Sequence, residues 1–201
     1  MPKQVLLIVD VQNDFCEGGS LEIKEAKEII PTINNLMDKF DLIIATQDWH
    51  PWNHVSFASQ HKHKKPFDTI TLDGITQVLW PDHCIQGTNG SNFHKLLDTN
   101  KFHYIVRKGY RRSIDSYSAF FENDGITPTY LENLFKPTDD FVIYVCGLAL
   151  DYCVKFTASD ARKIGCNTYV ILDACKSISD SDVVVQELNK KGIKTILSKD
   201  I

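Results

Sequence analysis

Four residues with reactive side chains stand near the ends of short apolar runs or in the segment that follows one. They are Asp10, Asp48, Lys108 and Cys153, which supply two carboxylates, an ammonium and a thiol. A carboxylate beside a thiol can accept its proton, and a nearby ammonium can stabilise the charges that result. These residue types predict nucleophilic catalysis by Cys153, with Asp10 as base and Lys108 as the stabilising cation.

Histidines close to this group in sequence predict a metal site. Asp48 and His50 are two residues apart in an extended segment, so their side chains point to the same face. His83 could complete a set of two imidazoles and one carboxylate with open coordination positions, which suits a divalent transition metal. His54 is a fourth candidate, and Cys84 could ligate, although packing is the commoner role of such a thiol. The other histidines are expected at the surface: His61, His63, His94 and His103.

Each reactive residue also has an ordinary structural interpretation. A cysteine at an arbitrary position is usually a small core residue, and Asp10 with Lys108 could be a simple ion pair at a sheet edge. The six cysteines show no CxxC pair, which in an intracellular chain favours buried free thiols. The argument for catalysis is that Cys153 would lie beside two other ionisable groups.

The elements that must bring these residues together are indicated by hydrophobic patterning. Continuous apolar runs, typical of strands covered on both faces, occur at residues 5–9, 42–45, 104–106, 141–145, 169–172 and 193–197. Helical periodicity is found at residues 31–40, 154–164 and 182–191. Strands alternating with helices predict a parallel sheet wrapped by helices in right-handed βαβ units.

The carboxyl ends of parallel strands share one edge of a sheet, where open α/β sheets bind their ligands. The predicted strand ends would deliver Asp10, Asp48 and Lys108 to that edge. Cys153 would follow in the first turn of a helix, whose N–H groups and dipole favour a thiolate and suit an oxyanion hole. The irregular stretch at 49–102 is expected to be functional because long irregular segments in compact domains usually are.

Composition limits the function classes. A length of 201 residues predicts one domain spanning 1–201, and 43% hydrophobic residues suffice for a core. A net charge of −4 argues against a nucleic-acid partner. The first apolar run is too short for a secretory signal or a membrane span, so a cytoplasmic protein without membrane partners is expected. Composition leaves the choice between monomer and homo-oligomer open.

Several motifs, in order and over nearly the whole chain, resemble those of nicotinamidases in the isochorismatase-like cysteine hydrolase superfamily. The matching segments are Asp10-Val11-Gln12-Asn13-Asp14-Phe15 and its continuation to Leu21, Gln47-Asp48-Trp49-His50-Pro51, Asn53-His54-Val55-Ser56-Phe57, Trp80-Pro81-Asp82-His83-Cys84, Gln86-Gly87-Thr88, Lys108-Gly109, Asp115-Ser116-Tyr117-Ser118-Ala119-Phe120, Gly147-Leu148-Ala149 and Asp151-Tyr152-Cys153-Val154. The resemblance implies a three-layer αβα fold with a central six-stranded, mainly parallel sheet in Rossmann-like order.

The same resemblance implies roles for particular residues. The catalytic triad would be Asp10, Lys108 and Cys153, and the metal ligands would be Asp48, His50 and His83. A cis peptide between Leu148 and Ala149 would turn the N–H of Ala149, together with that of Cys153, toward the oxyanion. The ring of the substrate would be lined by Phe15, Leu21, Trp80 and Tyr117. One departure is Leu150, where the family commonly has threonine and a hydroxyl hydrogen bond is therefore lost.

The implied reaction is hydrolysis of nicotinamide to nicotinate and ammonia through a cysteine thioester, which would feed NAD salvage. Pyrazinamide, close in shape to nicotinamide, is expected as an additional substrate. The implied cofactor is one divalent metal ion, zinc first, with iron and manganese as alternatives.

Three other functions compete. An isochorismate hydrolase would need no metal triad, and a ureidoacrylate or carbamoyl-amide hydrolase would have a more polar pocket. A non-catalytic metabolite-binding protein would have a broken triad, whereas all three residues are present here.

Overall fold

A computed structural model describes residues 2–135 and 141–201 of the chain. At its centre is a six-stranded sheet in which every pairing is parallel. Its strands are β1 (Lys3–Val9), β2 (Leu42–Asp48), β5 (Tyr104–Lys108), β6 (Phe141–Leu148), β7 (Asn167–Lys176) and β8 (Lys194–Ile196). The order β5-β2-β1-β6-β7-β8 is the Rossmann-like order. The predicted six-stranded parallel sheet is therefore confirmed.

Helices flank this sheet. They are α1 (Ile30–Leu36), α2 (Lys155–Lys163) and α3 (Ser181–Lys190), and a 3₁₀ turn at Met37–Lys39 extends α1. The crossover containing α1 leads from β1 toward one edge of the sheet, whereas those containing α2 and α3 lead toward the other. Right-handed crossovers in opposite directions place their helices on opposite faces of a sheet. The chain therefore has the three layers that were expected.

The centre of the sheet explains the continuous apolar runs. Strand β1 pairs with β2 on one side and with β6 on the other, and Val5 to Val9 are completely buried. A strand covered on both faces has no solvent side that would call for polar residues, so alternation is absent.

The long irregular stretch contains a hairpin that was not predicted from the sequence. Strands β3 (Thr69–Leu72) and β4 (Ile75–Val78) form an antiparallel hairpin outside the main sheet. Its turn is Asp73-Gly74 with φ values of 48° and 84°, as a two-residue hairpin turn requires. The Asp-Gly pair was the available signal, but strands of four residues show too little periodicity to be recognised.

Among residues 2–135 and 141–201, no helix has both the length and the apolar character needed to cross a membrane.

The contact between β1 and β6 depends on a glycine. Gly147 has φ +113°, and a Cβ atom at this position would lie 2.1 Å from the carbonyl oxygen of Val9. The register of β6 against β7 also shifts between Val145 and Gly147, a local irregularity in the strand. A side chain here would have to push the two central strands apart.

Replacement of Gly147 by alanine should therefore cost much more stability than the same change at another left-handed glycine. Gly165 is the matched control, because it has φ +99° and no atom within 4 Å of the place that a Cβ would take. We expect Gly165→Ala to cost about 1–2 kcal/mol of unfolding free energy from backbone strain. Gly147→Ala should cost about 4 kcal/mol or more, or prevent folding. Urea denaturation measures both, and equal losses would contradict the close contact.

Candidate active site

The site lies at the carboxyl edge of the sheet. Asp10 follows β1 directly, Asp48 is the last residue of β2, and Lys108 is the last residue of β5. Asp48 and Lys108 are register partners in neighbouring strands, which brings their side chains to the same position along the edge. Cys153 lies in a single π-helical turn, Leu150–Val154, between β6 and α2. The structure thus brings together all four reactive residues found in the sequence.

Lys108 is at the centre of the group and is completely buried. Its Nζ lies 2.7 Å from Oδ2 of Asp10 and 2.5 Å from Oδ1 of Asp48, and it donates to the carbonyl oxygen of Ser116 at 3.0 Å. It also lies 3.3 Å from Sγ of Cys153. Burial alone would lower the pKa of Lys108, but the two carboxylates more than offset this and hold it well above the usual value. Lys108 is therefore a permanent cation between the carboxylates and the thiol.

Asp10 is also completely buried. Its Oδ1 accepts a hydrogen bond from the Thr46 hydroxyl at 2.6 Å, and that hydroxyl in turn accepts from the backbone N–H of Asp10 at 3.1 Å. Oδ2 is close to Lys108, yet within the described part of the chain no donor is aligned for a hydrogen bond to it. Burial raises the pKa of Asp10, against the opposing effect of Lys108. Oδ2 is thus an acceptor with a free lone pair.

The Cys153 sulfur faces these charges. One carboxylate oxygen each of Asp10 and Asp48 and the sulfur of Cys153 lie within 4.8 Å of one another. Burial raises the pKa of the Cys153 thiol well above its usual value, and Lys108 only partly opposes this. A thiolate was expected from a position in the first turn of a helix, whereas Cys153 lies in a π-helical turn that precedes α2, and burial there favours the neutral thiol. A carboxylate oxygen of Asp10 is within reach of this thiol.

Asp48 is held by its backbone as well as by its side chain. The amide of Gln12 donates to the carbonyl oxygen of Asp48 at 2.8 Å and accepts from its N–H at 2.9 Å. Burial opposes ionisation of Asp48, but Lys108 and His50 outweigh it and keep the pKa well below the usual value. Oδ1 of Asp48 contacts the Lys108 ammonium, and Oδ2 faces His50 and His83.

These groups form the predicted metal-ligand set. Oδ2 of Asp48 lies 3.6 Å from Nε2 of His50 and 3.7 Å from Nε2 of His83. Adjacent ligands on a metal with bonds of about 2.0–2.2 Å are about 3–3.5 Å apart, so this spacing is close to that of a coordination site. All three residues are buried.

The other ring nitrogen of each histidine determines which tautomer is present. Nδ1 of His50 is 2.8 Å from the carbonyl oxygen of Gly109, and Nδ1 of His83 is 2.7 Å from that of Pro81. A carbonyl can only accept, so Nδ1 of each ring carries a hydrogen, and Nε2 is the nitrogen that faces Asp48. Backbone carbonyls commonly orient metal-binding histidines in this way. The donor set therefore fits a divalent transition metal.

His54 does not join this set. Its Nε2 is 3.1 Å from the carbonyl oxygen of Ile114 and its Nδ1 is 2.7 Å from the Ser56 hydroxyl, so both nitrogens are occupied. Burial and the neighbouring His50 lower its pKa to about 4. Its ring centroid lies 4.3 Å from that of His50. His54 thus packs against the ring of His50, with both of its own nitrogens already hydrogen-bonded.

Of the histidines expected at the surface, His63 and His103 are exposed and His61 is half-buried. The prediction is wrong for His94, which is only 7% exposed. Its Nδ1 accepts the N–H of Leu96, which gives the ring a local structural role.

A cavity connects the sulfur with the metal-ligand set. The four predicted pocket residues, Phe15, Leu21, Trp80 and Tyr117, all line it together with Cys153. Three further lining residues were not predicted from the sequence to belong to the pocket, namely Asp115, Tyr152 and Ile178. Asp115 and Tyr152 lie in segments already noted, whereas no sequence pattern marks Ile178.

The aromatic wall of the cavity has a defined geometry. The indole N–H of Trp80 donates to the Tyr117 hydroxyl at 3.2 Å, and the amide of Gln77 donates to the same oxygen at 3.0 Å. The rings of Trp80 and Tyr152 are edge-to-face with centroids 4.8 Å apart. Flat apolar surfaces of this kind suit a planar aromatic ligand.

The peptide bond between Leu148 and Ala149 is cis, as the resemblance implied. Ala149 and Cys153 both line the cavity, which is the position required of the two proposed oxyanion donors. Leu150, the departure from the family pattern, is buried and does not line the cavity. The departure therefore falls outside this cavity.

Comparisons with known proteins agree with this geometry. The chain matches the Isochorismatase domain family over residues 4–198. It is 49% identical over 199 residues to the nicotinamidase of Acinetobacter baylyi, covering 98% of this chain and 93% of that protein. It is 41% identical over 200 residues to the nicotinamidase of Escherichia coli, covering 96% and 93%.

Solved structures give the same result. The Acinetobacter baumanii nicotinamidase pyrazinamidease has a TM-score of 0.96 at 47% identity, covering 100% of this chain and 98% of that one. The yeast nicotinamidase bound to the inhibitor nicotinaldehyde has a TM-score of 0.86 at 35% identity, covering 96% and 99%. The Pyrococcus horikoshii pyrazinamidase in complex with zinc has a TM-score of 0.77 at 32% identity, covering 98% and 99%.

A glycine beside His50 offers a test of the metal-ligand set in which no candidate ligand is replaced. A Cβ atom at Gly109, which has φ +62°, would lie 2.4 Å from Cε1 of His50. Gly109→Ala should therefore displace the ring and weaken zinc binding by about 10–100-fold, as is typical when the support of a ligand is lost. Gly125→Ala is the control, since Gly125 has φ +68° and open space around it. Calorimetric titration measures both, and equal affinities would contradict the assignment.

Proposed function

The chain belongs to the nicotinamidases of the isochorismatase family, and from this premise we propose that it hydrolyses nicotinamide to nicotinate and ammonia, with Cys153 as nucleophile. The observation that carries the proposal is the shared cavity. The Cys153 sulfur, 3.3 Å from the Lys108 ammonium, lines the same cavity as Asp48 and His83. A ligand with an amide at one end and a ring nitrogen at the other matches such a cavity.

In the acylation half, Oδ2 of Asp10 accepts the proton of the Cys153 thiol and the thiolate attacks the carboxamide carbon. The carbonyl oxygen becomes an oxyanion, which the backbone N–H groups of Ala149 and Cys153 stabilise. Asp10 then donates its proton to the nitrogen as the C–N bond breaks. Ammonia leaves, and the acyl group remains on the sulfur as a thioester.

In the deacylation half, Asp10 takes a proton from a water molecule, and the resulting hydroxide adds to the thioester carbon. The C–S bond breaks, nicotinate is released, and the sulfur recovers a proton from Asp10. Lys108 keeps its charge throughout, so that it stabilises whichever of Asp10 and Cys153 is anionic.

Two groups of residues would position the substrate, the metal-ligand set and the apolar wall of the cavity. A zinc ion held by Asp48, His50 and His83 would supply a Lewis-acidic centre for the pyridine nitrogen. Phe15, Leu21, Trp80 and Tyr117 would pack around the ring. Such positioning converts attack by the thiol into an effectively intramolecular step. Zinc is the proposed metal because a similar pyrazinamidase was solved with zinc.

The same cavity supports pyrazinamide as a second substrate, because its ring differs from that of nicotinamide only by a second nitrogen. The competing reactions receive less support. Similarity to an N-carbamoylsarcosine amidase is only 20% in sequence and shows the fold alone. A carbamoyl amide or isochorismate would also have no ring nitrogen for the metal-ligand set.

The function is tested directly by measuring ammonia released from nicotinamide by the purified protein. We expect turnover that is lost after treatment with a chelator and is restored by zinc, because the metal positions the ring. Turnover of isochorismate or a carbamoyl amide in place of nicotinamide would refute the proposal.

The nucleophile is tested by Cys153→Ala. We expect turnover to fall by about 10³-fold or more, because the covalent route is lost, while the metal content stays unchanged. Cys166→Ala is the control, since Cys166 is a half-buried free cysteine outside the cavity. Substantial activity in the Cys153 variant would contradict the assignment of Cys153 as the nucleophile.

A further inference from the structure

The mouth of the cavity is marked by one residue outside the catalytic and metal-ligand groups. Ile178 lies between β7 and α3 and lines the cavity together with Cys153. It is 39% exposed, whereas Cys153 and Trp80 in the same cavity are 7% and 4% exposed. The side of the cavity that reaches solvent is therefore the side covered by Ile178.

A single carboxylate holds this segment in place. The N–H of Ile178 donates to Oδ1 of Asp151 at 3.0 Å. The N–H and the hydroxyl of Ser179 donate to Oδ2 at 2.9 Å and 2.7 Å. Asp151 itself is only 5% exposed, and hydrogen bonds to a buried carboxylate are among the stronger ones in proteins.

Asp151 also connects the segment with the nucleophile. It belongs to the π-helical turn Leu150–Val154, which carries Cys153 two residues further on. The distance between the Ile178 side chain and the reacting sulfur is thus determined by one short turn and three hydrogen bonds. A ligand bound at Cys153 would therefore contact the Ile178 side chain at a fixed distance from the sulfur.

We propose that Ile178 determines which ring substituents the substrate pocket accepts, and that Asp151 is the positioning residue that holds Ile178 over the mouth. This inference rests on the proposed function. With the carboxamide at Cys153 and the ring nitrogen toward Asp48, His50 and His83, a ring carbon points toward the mouth. A substituent on that carbon collides with the branched side chain of Ile178, so the wild-type protein discriminates against substituted pyridinecarboxamides.

The experiment compares kcat/KM for nicotinamide with kcat/KM for nicotinamides methylated at each free ring carbon. Ile178→Ala should raise the ratio of methylated to unsubstituted substrate by about 10-fold or more at one ring position, which is the usual size of discrimination by a methyl group in an apolar pocket. The ratio is the readout because a general change in turnover caused by Ile178→Ala would affect methylated and unsubstituted substrates alike and cancel.

Ile126→Ala is the matched control. Ile126 is 79% exposed and does not line the cavity, so the same chemical change is made away from the mouth. Its substrate ratios should equal those of the wild-type protein. Equal ratios in Ile178→Ala and Ile126→Ala, with nicotinamide turnover intact, would overturn the inference. A wild-type protein that released no ammonia from nicotinamide would instead contradict the proposed function.

The role of Asp151 is tested by a double-mutant comparison. Asp151→Ala should relax discrimination at the same ring position, and the double variant with Ile178→Ala should show no further relaxation. A residue that acts only through another has nothing to add once that residue is removed. If the alanine variant does not fold, Asp151→Asn gives the same comparison while retaining an acceptor oxygen. Independent, additive effects would refute the positioning role.

Discussion

The buried ammonium of Lys108 is the interaction on which the arrangement of the site depends. Removing a cation from water costs several kcal/mol unless it is paired, and here Asp10 and Asp48 both contact it. These three residues come from the ends of β1, β2 and β5. The ammonium is therefore paired only when the strands are in register, which couples folding of the sheet edge to assembly of the site. Cys153 lies beside a cluster of one ammonium and two carboxylates.

Asp48 links the proposed catalytic group with the proposed metal-ligand set. One of its oxygens contacts Lys108 and the other faces His50 and His83, while Gln12 holds its backbone from both sides. A metal ion at the histidines and the ammonium at Lys108 would thus share one carboxylate. Any shift of Asp48 would alter both the proposed metal-ligand set and the charge next to Cys153.

Much of this arrangement follows from local sequence patterns. Apolar runs such as residues 5–9 predict the strands because burial on both faces removes alternation. The strand ends then predict which polar residues converge, since parallel strands present their carboxyl ends to one edge. The hairpin of β3 and β4, the burial of His94 and the lining role of Ile178 were not predictable in this way. They lie in irregular backbone between residues 49 and 102 and after β7. In these segments the structure is determined by contacts with other segments and not by a periodic apolar pattern.

The sequence by itself determined the parallel αβα architecture, the identity of the reactive residues and their placement at one sheet edge, because residue type and period carry that information. Tertiary structure decided the properties that depend on surroundings. Segments distant in sequence bury Cys153, and this burial raises the pKa of its thiol. Carbonyls of Gly109 and Pro81 selected the tautomers of two histidines, and the same kind of local contact occupied both nitrogens of His54. Desolvation and hydrogen-bond partners are three-dimensional quantities, so no spacing along the chain can encode them directly.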